Sequence, residues 1–283
     1  MHGDEAQLRS SRCGGVIPGP FQSIHHHHAS YKRRSSFPGF PWIKVGEFIR
    51  ENNAAIVAQR VFGPYEPHGE PATFFEDTAG ERDWPITLLE GQGRCGANFL
   101  TTQTIAISGI SPTPLMLDGR NVGCVFEDAD VQYCLLGNLS AKDTSWGNAD
   151  QARYVLDNIE SALQLAGLEF SDVVRTWFYL NDILGWYSQF NKVRTDFFTA
   201  HRTFDGLVPA STGIGSANAL GSAIVANVLA MRPKNDKVRV REVASPLQCA
   251  APAYGSSFSR AVEVVLPDHP ERRENSRCSE RPI

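Results

Sequence analysis

The sequence lacks any hydrophobic run long enough to cross a bilayer. A membrane-spanning helix needs about 18 or more consecutive apolar residues, and no segment of the 283 residues approaches this. Residues 1–42 are rich in Arg, Ser, Gly and Pro and contain no continuous apolar stretch of the kind found in secretory signals. We therefore expect no membrane partner.

Short cysteine spacings are also absent. The six cysteines are scattered without a CxxC pair, and Cys124 and Cys134 fall in predicted strands, where a buried free thiol is the usual outcome. The consecutive histidines at 25–28 lie in a polar segment without the fixed geometry of a metal site. These features predict a reduced, cytoplasmic protein without a metal or another cofactor.

The chain carries little excess charge of either sign. It has 27 Lys and Arg residues against 31 Asp and Glu residues, a net charge of −4. Proteins that bind nucleic acid through its phosphates usually have a strong positive balance, so the composition argues against a nucleic-acid partner. The glycine-rich segment 213–221 lacks the Lys-Ser/Thr pair of a phosphate-binding loop, and we interpret it as a flexible loop between strands.

The clearest pattern that is present begins with an amphipathic helix near residue 150. Apolar residues recur at helical spacing from Val155 to Ala166, and Gly167 stands where a left-handed residue would end the helix. Asn148 and Gln151 have the spacing of a capping box.

A strand and a second helix follow. Residues 173–180 are rich in β-branched and aromatic side chains and predict the strand. Asp182 is placed to cap the second helix. The predicted buried stripe of that helix contains Trp186, Phe190, Val193 and Phe197.

Shorter strands are predicted on either side of this unit. They cover residues 54–62, 86–89, 104–108, 115–118, 122–126, 131–136, 222–231 and 257–266. Short connections favour parallel β-α-β crossovers, so the fold class is α+β, a mixed sheet with two helices on one face. Since strand 173–180 carries bulky groups on both sides, the other face of the sheet should also be buried, and we expect contact between subunits there.

Composition shifts divide the chain into segments. They are a disordered arm at 1–42, an N-terminal α/β region at 43–118, the main domain at 119–233, a polar linker at 233–247 that overlaps the start of a further, truncated unit at 245–266, and a disordered tail at 267–283. A truncated or frame-shifted gene would explain why the pattern stops near residue 266.

Several short motifs of the central unit occur in the same order in one known family. The matching residues are Gly137, Gln151, Asn158, Ile159, Leu163, Gly167, Asp172–Val174, Tyr179–Asp182, Phe190, Asn191 and Val208–Ala210. They make the segment resemble the YjgF/Rid family, also called endoribonuclease L-PSP. The segments VVRTWFYLNDI, YSQFNKVRTDFF and VPASTGIG resemble in particular the chorismatase-like branch, whose members carry an extra N-terminal region.

The resemblance implies a chorismate-mutase-like fold with an N-terminal β-rich, partial Rid-like domain. It also implies a homotrimer or pseudo-trimeric assembly, with a cleft between subunits that binds a small carboxylate-bearing ligand. Members that hydrolyse imines use an Arg after the Pro-Ala pair and a Glu on the last strand, where this chain has Ser211 and Ala226. Two further cleft positions match Gly213 and Leu136. The guanidinium of that Arg would hold a carboxylate through two hydrogen bonds. Because this chain has no Arg at that position, the sequence argues against an ordinary imine deaminase.

Six residues are candidates for ligand binding, and no catalytic residue is assigned. They are Arg175, Tyr179, Asn191, Arg194, Ser211 and Thr212. Arg175 and Tyr179 share one face of their strand and would contact an anion or another subunit. The alternative for Arg194 is a solvated position on the helix, and for Asn191 it is a bond to a buried backbone group. His201, at the end of the second helix, is expected to be exposed.

Three functions are compatible with these features. The first is a hydrolase or lyase of the chorismatase-like group that acts on, or binds, a small anionic metabolite such as chorismate. The second is a non-catalytic Rid-like binding or assembly module. The third is RNA cleavage of the L-PSP type, which needs a basic cleft that the composition does not promise.

Overall fold

The computed structural model describes residues 25–30, 45–46, 49–63, 83–91, 99–245, 247–249, 251, 256–266 and 273–275. The disorder expected for the arm at 1–42 and the tail at 267–283 falls mostly outside these residues. Where the two segments are described, His25–Ser30 and Arg273–Asn275 form short strands.

The described residues form strands and two long helices. The strands are β1 (His25–Ser30), β2 (Ala54–Gly63), β3 (Ile86–Glu90), β4 (Phe99–Ser108), β5 (Thr113–Leu117), β6 (Arg120–Glu127), β7 (Val131–Ser140), β8 (Val173–Leu180), β9 (Ala210–Gly215), β10 (Ile224–Pro233), β11 (Arg239–Glu242), β12 (Val262–Val265) and β13 (Arg273–Asn275). The helices are α1 (Asn148–Leu165) and α2 (Ile183–Ala200). Strand β11 lies in the segment that was predicted to be a linker. None of the described helices is long and apolar enough to span a membrane.

A six-stranded mixed sheet with the order β5-β6-β7-β10-β8-β9 forms the centre of the molecule. Helix α1 connects β7 to β8, and α2 connects β8 to β9. Strands β8 and β9 are parallel, and β10 lies antiparallel between β7 and β8. Strands β7 and β8 therefore also run in the same direction, so both helical crossovers join parallel strands. The predicted α+β fold is confirmed.

The two helices pack together on one face of this sheet. Val155 and Ile159 of α1 and Phe190 of α2 are completely buried in one core with Phe178 of β8. The rings of Phe178 and Phe190 meet edge to face, with their centroids 5.1 Å apart. Burial of a side chain of this size contributes about 1.5–3 kcal/mol, so the helical periodicity of the sequence accounts for this layer.

The opposite face of the central sheet is covered by the chain itself. The N-terminal sheet, with the order β1-β4-β2-β3, brings Val57 and Ile107 into a buried core with Tyr133 of β7. Val262 and Val264 of β12 join the same core. We expected other subunits to shield this face. The cover comes instead from the same chain, because β2, β4 and β12 each turn apolar side chains toward it.

Strand β3 joins the two sheets through a buried polar network. The Thr87 hydroxyl donates to Asn227 Oδ1 at 2.9 Å. The backbone N–H of Asn138 donates to Thr87 Oγ1 at 3.1 Å and to Asn227 Oδ1 at 3.2 Å. Because these buried atoms satisfy one another, the network holds the N-terminal sheet at a defined position against β7 and β10.

The two predicted helix caps differ from the structure. Gly147 occupies the N-cap of α1 without a side-chain hydrogen bond, so the capping box is absent. Gln151 is instead buried, donating to the carbonyl of Trp146 at 2.8 Å and accepting from the N–H of Ala223 at 2.8 Å. Asp182 occupies the N-cap of α2 as predicted, but in a left-handed conformation and without a side-chain cap. Gln151 thus ties α1 to the start of β10 because its amide can donate and accept at once.

The glycine-rich segment 213–221 differs from the loop that we expected. Its first residues belong to β9, and Asn218 organises the turn that follows. Asn218 Nδ2 donates to the carbonyl of Ser222 at 2.7 Å, and its Oδ1 accepts from the N–H of the same residue at 3.1 Å. The N–H of Glu90 in β3 donates to the carbonyl of Ala217 at 2.8 Å. The turn is therefore ordered against the N-terminal sheet.

The Thr87 network can be tested by removing one hydroxyl. Thr87→Val should lower the free energy of unfolding by about 1–3 kcal/mol, because it leaves a buried amide oxygen and a buried N–H each with one partner fewer. Urea unfolding measures this change. Thr113→Val, an exposed position on β5, is the matched control and should stay within about 0.5 kcal/mol. Equal losses in the two variants would show that the network does not hold the sheets together.

Candidate functional site

Strand β8 divides the six predicted ligand-binding residues between the two faces of the central sheet. Side chains alternate along a strand, and β8 pairs with β9 so that Thr176 lies opposite Ser211 and Trp177 opposite Thr212. The helix face carries Asn191, Arg194 and Ser211, and the opposite face carries Arg175, Tyr179 and Thr212. The six residues therefore form two groups, not one.

Arg194 is the centre of the helix-face group and is only 1% exposed. Its Nη2 donates to Asn191 Oδ1 at 2.8 Å, and its Nη1 donates to Ser211 Oγ at 3.3 Å. Thr176 Oγ1 donates to the same Ser211 hydroxyl at 2.8 Å. A solvated Arg194 is therefore wrong, since α2 turns this position toward β9. Where the family resemblance has an arginine, the chain has Ser211 contacted by a guanidinium from α2.

A C-terminal segment closes the helix-face group. The hydroxyl oxygens of Ser257 and Thr195 lie 2.6 Å apart, and the ring centroid of Phe258 is 5.4 Å from Cζ of Arg194. The N–H of Ser259 donates to the carbonyl of Pro209, just before β9, at 3.0 Å. These contacts favour a packing role for Arg194, because hydroxyls and rings already surround its buried guanidinium.

The opposite face carries a second group, the arginine–tryptophan cluster, defined as Arg60, Arg175, Trp177, Tyr179 and Thr212. The Cζ atoms of Arg60 and Arg175 lie 4.3 Å and 5.2 Å from the centroid of the Trp177 ring. Nη2 of Arg175 donates to Thr212 Oγ1 at 2.6 Å. Two guanidinium groups thus lie against one indole, both within the range of a cation–π interaction.

The members of the arginine–tryptophan cluster differ in exposure. Arg60, Arg175 and Tyr179 are buried, whereas Trp177 and Thr212 are partly exposed. Strand β9 is the edge strand of its sheet. The partly exposed members are therefore Thr212 on this edge strand and Trp177, its partner on β8.

Arg60 is the member of the cluster that sequence analysis missed. It lies on β2, and its Nη1 donates to Gln103 Oε1 on β4 at 2.7 Å. The available signal was a charged residue, next to Gln59, inside the largely apolar segment AAIVAQRVF. An arginine buried in such a strand must find a polar partner, and sequence alone does not say where.

Burial changes the proton affinities of the cluster. It raises the pKa of Tyr179, and the charges of Arg60 and Arg175, with a hydrogen bond to Arg60, oppose that rise. It lowers the pKa of Arg60, although a guanidinium keeps its charge at neutral pH. The cluster therefore combines two positive charges with a protonated phenol. A carboxylate is the complementary group, because it accepts several charge-assisted hydrogen bonds.

The other reactive groups lie elsewhere. His201 is partly buried, not exposed as expected, with its Nε2 2.9 Å from Glu160 Oε1. Cys124 and Cys134 are buried free thiols, as predicted. Burial raises the pKa of Cys124 to about 12, so this thiol is not a thiolate at neutral pH. Within the described part of the chain, no group of His, Cys, Asp and Glu side chains could hold a metal ion.

Topology and sequence together define the central domain. The central domain is an α+β unit, a mixed sheet with two crossover helices on one face. The family model described as "Endoribonuclease L-PSP" matches residues 139–223, from the end of β7 to the start of β10. This match supports the assignment of the segment to the YjgF/Rid family.

Solved structures of similar proteins align with less than half of this chain. The YjgF gene product of E. coli is 21% identical, covers 42% of this chain and 92% of its own, and has a TM-score of 0.35. E. coli TdcF, solved with bound serine, is 18% identical over 42% of this chain and 92% of its own, with a TM-score of 0.34. Yeast Mmf1 is 16% identical over 42% and 98%, with a TM-score of 0.34. No curated protein matches the sequence. The family assignment therefore rests on the match of the family model to residues 139–223.

The contact between Arg60 and Tyr179 predicts a specific titration shift. Arg60→Met should raise the pKa of Tyr179 further, because it removes a positive charge and a hydrogen bond that favour the phenolate. Carbon-13 chemical shifts of labelled tyrosine report this pKa, with Tyr179→Phe to assign the signal. Arg153→Gln removes an exposed arginine that pairs with Asp150 on α1 and should leave the Tyr179 titration unchanged. The same pKa in wild type and the Arg60→Met variant would contradict the contact.

Proposed function

We propose that this protein binds a small carboxylate-bearing metabolite at the arginine–tryptophan cluster, with Arg175 as the principal contact. The observation that carries the proposal is the way Arg175 is held. Thr212 fixes one end of its guanidinium at 2.6 Å, and Trp177 lies against the group. A guanidinium held in one orientation suits bidentate recognition of a carboxylate, because less side-chain freedom is lost on binding.

Tyr179 would act as a second, neutral donor in this site. Its raised pKa keeps the phenol protonated at neutral pH. A protonated phenol can donate a hydrogen bond to a carboxylate, and it can also deliver a proton to a leaving oxygen during hydrolysis. For the reaction we propose hydrolysis of a chorismate-type metabolite, as the resemblance to the chorismatase-like branch implies.

The proposed site lies between two sheets of one chain. Arg175 and Tyr179 project from β8 toward the face that the N-terminal sheet covers. In a homotrimer or pseudo-trimer the edge strand β9 would be available to a neighbouring subunit, and Trp177 and Thr212 would lie close to that contact. The trimeric assembly, the segment boundaries and the cytoplasmic location stay predictions from the sequence.

Arg175→Met should weaken chorismate binding by roughly 30-fold or more, since loss of a buried charged partner costs about 2–5 kcal/mol. Isothermal titration calorimetry measures the dissociation constant. Arg153→Gln is the matched control and should bind as wild type does, because its side chain is exposed on α1. Equal affinity of wild type and the Arg175→Met variant would overturn the assignment of Arg175.

An assay of chorismate hydrolysis distinguishes the proposed hydrolase from a non-catalytic binding module and from an endoribonuclease. Wild-type protein incubated with chorismate should release pyruvate, detected by proton NMR, whereas protein incubated with RNA should leave the RNA intact. Binding without product would favour the non-catalytic binding module. RNA cleavage without carboxylate binding would favour the endoribonuclease.

A further inference from the structure

We infer that Ser211 is a positioning residue, which fixes Thr212 and, through it, the guanidinium of Arg175. The inference rests on the proposed function, because it assigns a further role at the same site. Ser211 itself lies on the helix face of the central sheet, away from the arginine–tryptophan cluster. At the position where the family resemblance has a ligand-binding arginine, this chain therefore acts on the ligand indirectly, from the other side of β9.

Strand β9 depends on side-chain contacts for its exact position. It is an edge strand of the central sheet and pairs with β8. Two of its 6 residues are Gly213 and Gly215, which have no side chain to pack. Just before β9, the carbonyl of Pro209 accepts from the N–H of Ser259 at 3.0 Å. The contacts of the residues between Pro209 and Gly213 therefore decide how the middle of β9 sits against β8.

Ser211 is held from two elements on the helix face. Its hydroxyl oxygen accepts from Thr176 Oγ1 on β8 at 2.8 Å and from Nη1 of Arg194 on α2 at 3.3 Å. The three side chains are buried, each 7% exposed or less. Buried hydrogen bonds resist displacement of their atoms, because a shift leaves a donor or an acceptor unsatisfied. Ser211 therefore ties β9 both to β8 and to α2.

The adjacent residue carries this constraint to the other face. Thr212 follows Ser211 directly, so its side chain points to the opposite side of the strand. Thr212 Oγ1 accepts from Nη2 of Arg175 at 2.6 Å. Ser211 and Thr212 share one planar peptide unit, so a movement of β9 against β8 displaces both side chains together. The hydrogen bonds of Ser211 consequently set the position of the oxygen that orients Arg175.

The nitrogen-15 NMR signals of the Arg175 guanidinium, assigned with Arg175→Met, test the inference without a ligand. Thr212→Val removes the hydrogen bond, and faster rotation of the guanidinium should broaden or merge its Nη signals. Ser211→Ala should change the signals in the same way. Ser211→Thr keeps a hydroxyl and should restore the wild-type signals. Ser188→Ala removes an exposed hydroxyl of α2 and should have no effect. Unchanged Arg175 signals in Ser211→Ala would overturn the inference.

Chorismate affinity, measured by calorimetry, reports the consequence for the site. Ser211→Ala alone should weaken binding about threefold to tenfold, which is the range of coupling between residues in one hydrogen-bond network. In a Thr212→Val background the same substitution should have little further effect, because Thr212 transmits the constraint. A purely structural role of Ser211 would instead give losses that add in the double variant, and that result would contradict the inference.

The two measurements distinguish this inference from the proposed function. If wild type does not bind chorismate while Ser211→Ala still alters the Arg175 signals, the proposed function fails and the positioning of Arg175 stands. If wild type binds, Arg175→Met weakens binding, and Ser211→Ala alters neither the signals nor the affinity, the proposed function stands and the positioning role fails. Thr176→Val removes one of the two donors to Ser211 and repeats both tests if Ser211→Ala does not fold.

Discussion

One buried hydrogen bond, from Thr87 to Asn227, aligns the two sheets on which the candidate site is built. Thr87 lies opposite Arg60 on the neighbouring strand, and Asn227 lies opposite Trp177. Apolar contacts between sheets have no preferred direction, so on their own they tolerate small sliding movements of one sheet over the other. A hydrogen bond between buried groups does not, because any shift leaves a donor or acceptor unsatisfied. The position of Arg60 over Trp177 follows from this constraint.

The second constraint is that β8 is buried on both faces. Its alternation separates Thr176, which belongs to the helix face, from Trp177, which belongs to the other. Two arginines near this strand consequently have different surroundings. Arg194 is enclosed by α2, β9 and Phe258, whereas Arg175 lies beside a partly exposed indole and threonine. Residue type alone does not distinguish these roles, but the face of the sheet does.

The sequence predicted the elements whose pattern is local. Strand β8 has the predicted bounds Val173–Leu180, the stripes of α1 and α2 are buried, and Gly167 has the predicted left-handed conformation. Periodicity reports these features because each depends on residues a few positions apart. The β5–β6 hairpin also carried a local signal that was not used, since Asp118 and Gly119 both have positive φ in its turn.

The features that were missed depend on residues far apart in the chain. Arg60 meets Trp177 only after two sheets have packed, and Gln151 finds the N–H of Ala223 only because β10 returns beside α1. The cover of the second sheet face is non-local in the same way. The bulky side chains on both sides of β8 correctly predicted that this face is buried. They do not show which part of the protein covers it. Partners at long sequence separation leave no local periodicity to detect.

The contrast between Ser211 and Arg60 explains why the proposed site lies away from the position that the family resemblance indicates. At Ser211 the chain has no arginine, and the nearest guanidinium, that of Arg194, is held by Ser211 and Asn191. On the other face, Arg60 lies in a largely apolar strand, where Gln103 accepts from its guanidinium. The guanidinium of Arg60 donates to Gln103 and lies against the ring of Trp177, so a strand of the N-terminal sheet contributes directly to the arginine–tryptophan cluster. The N-terminal sheet is therefore part of the candidate site and not only a cover for the central domain.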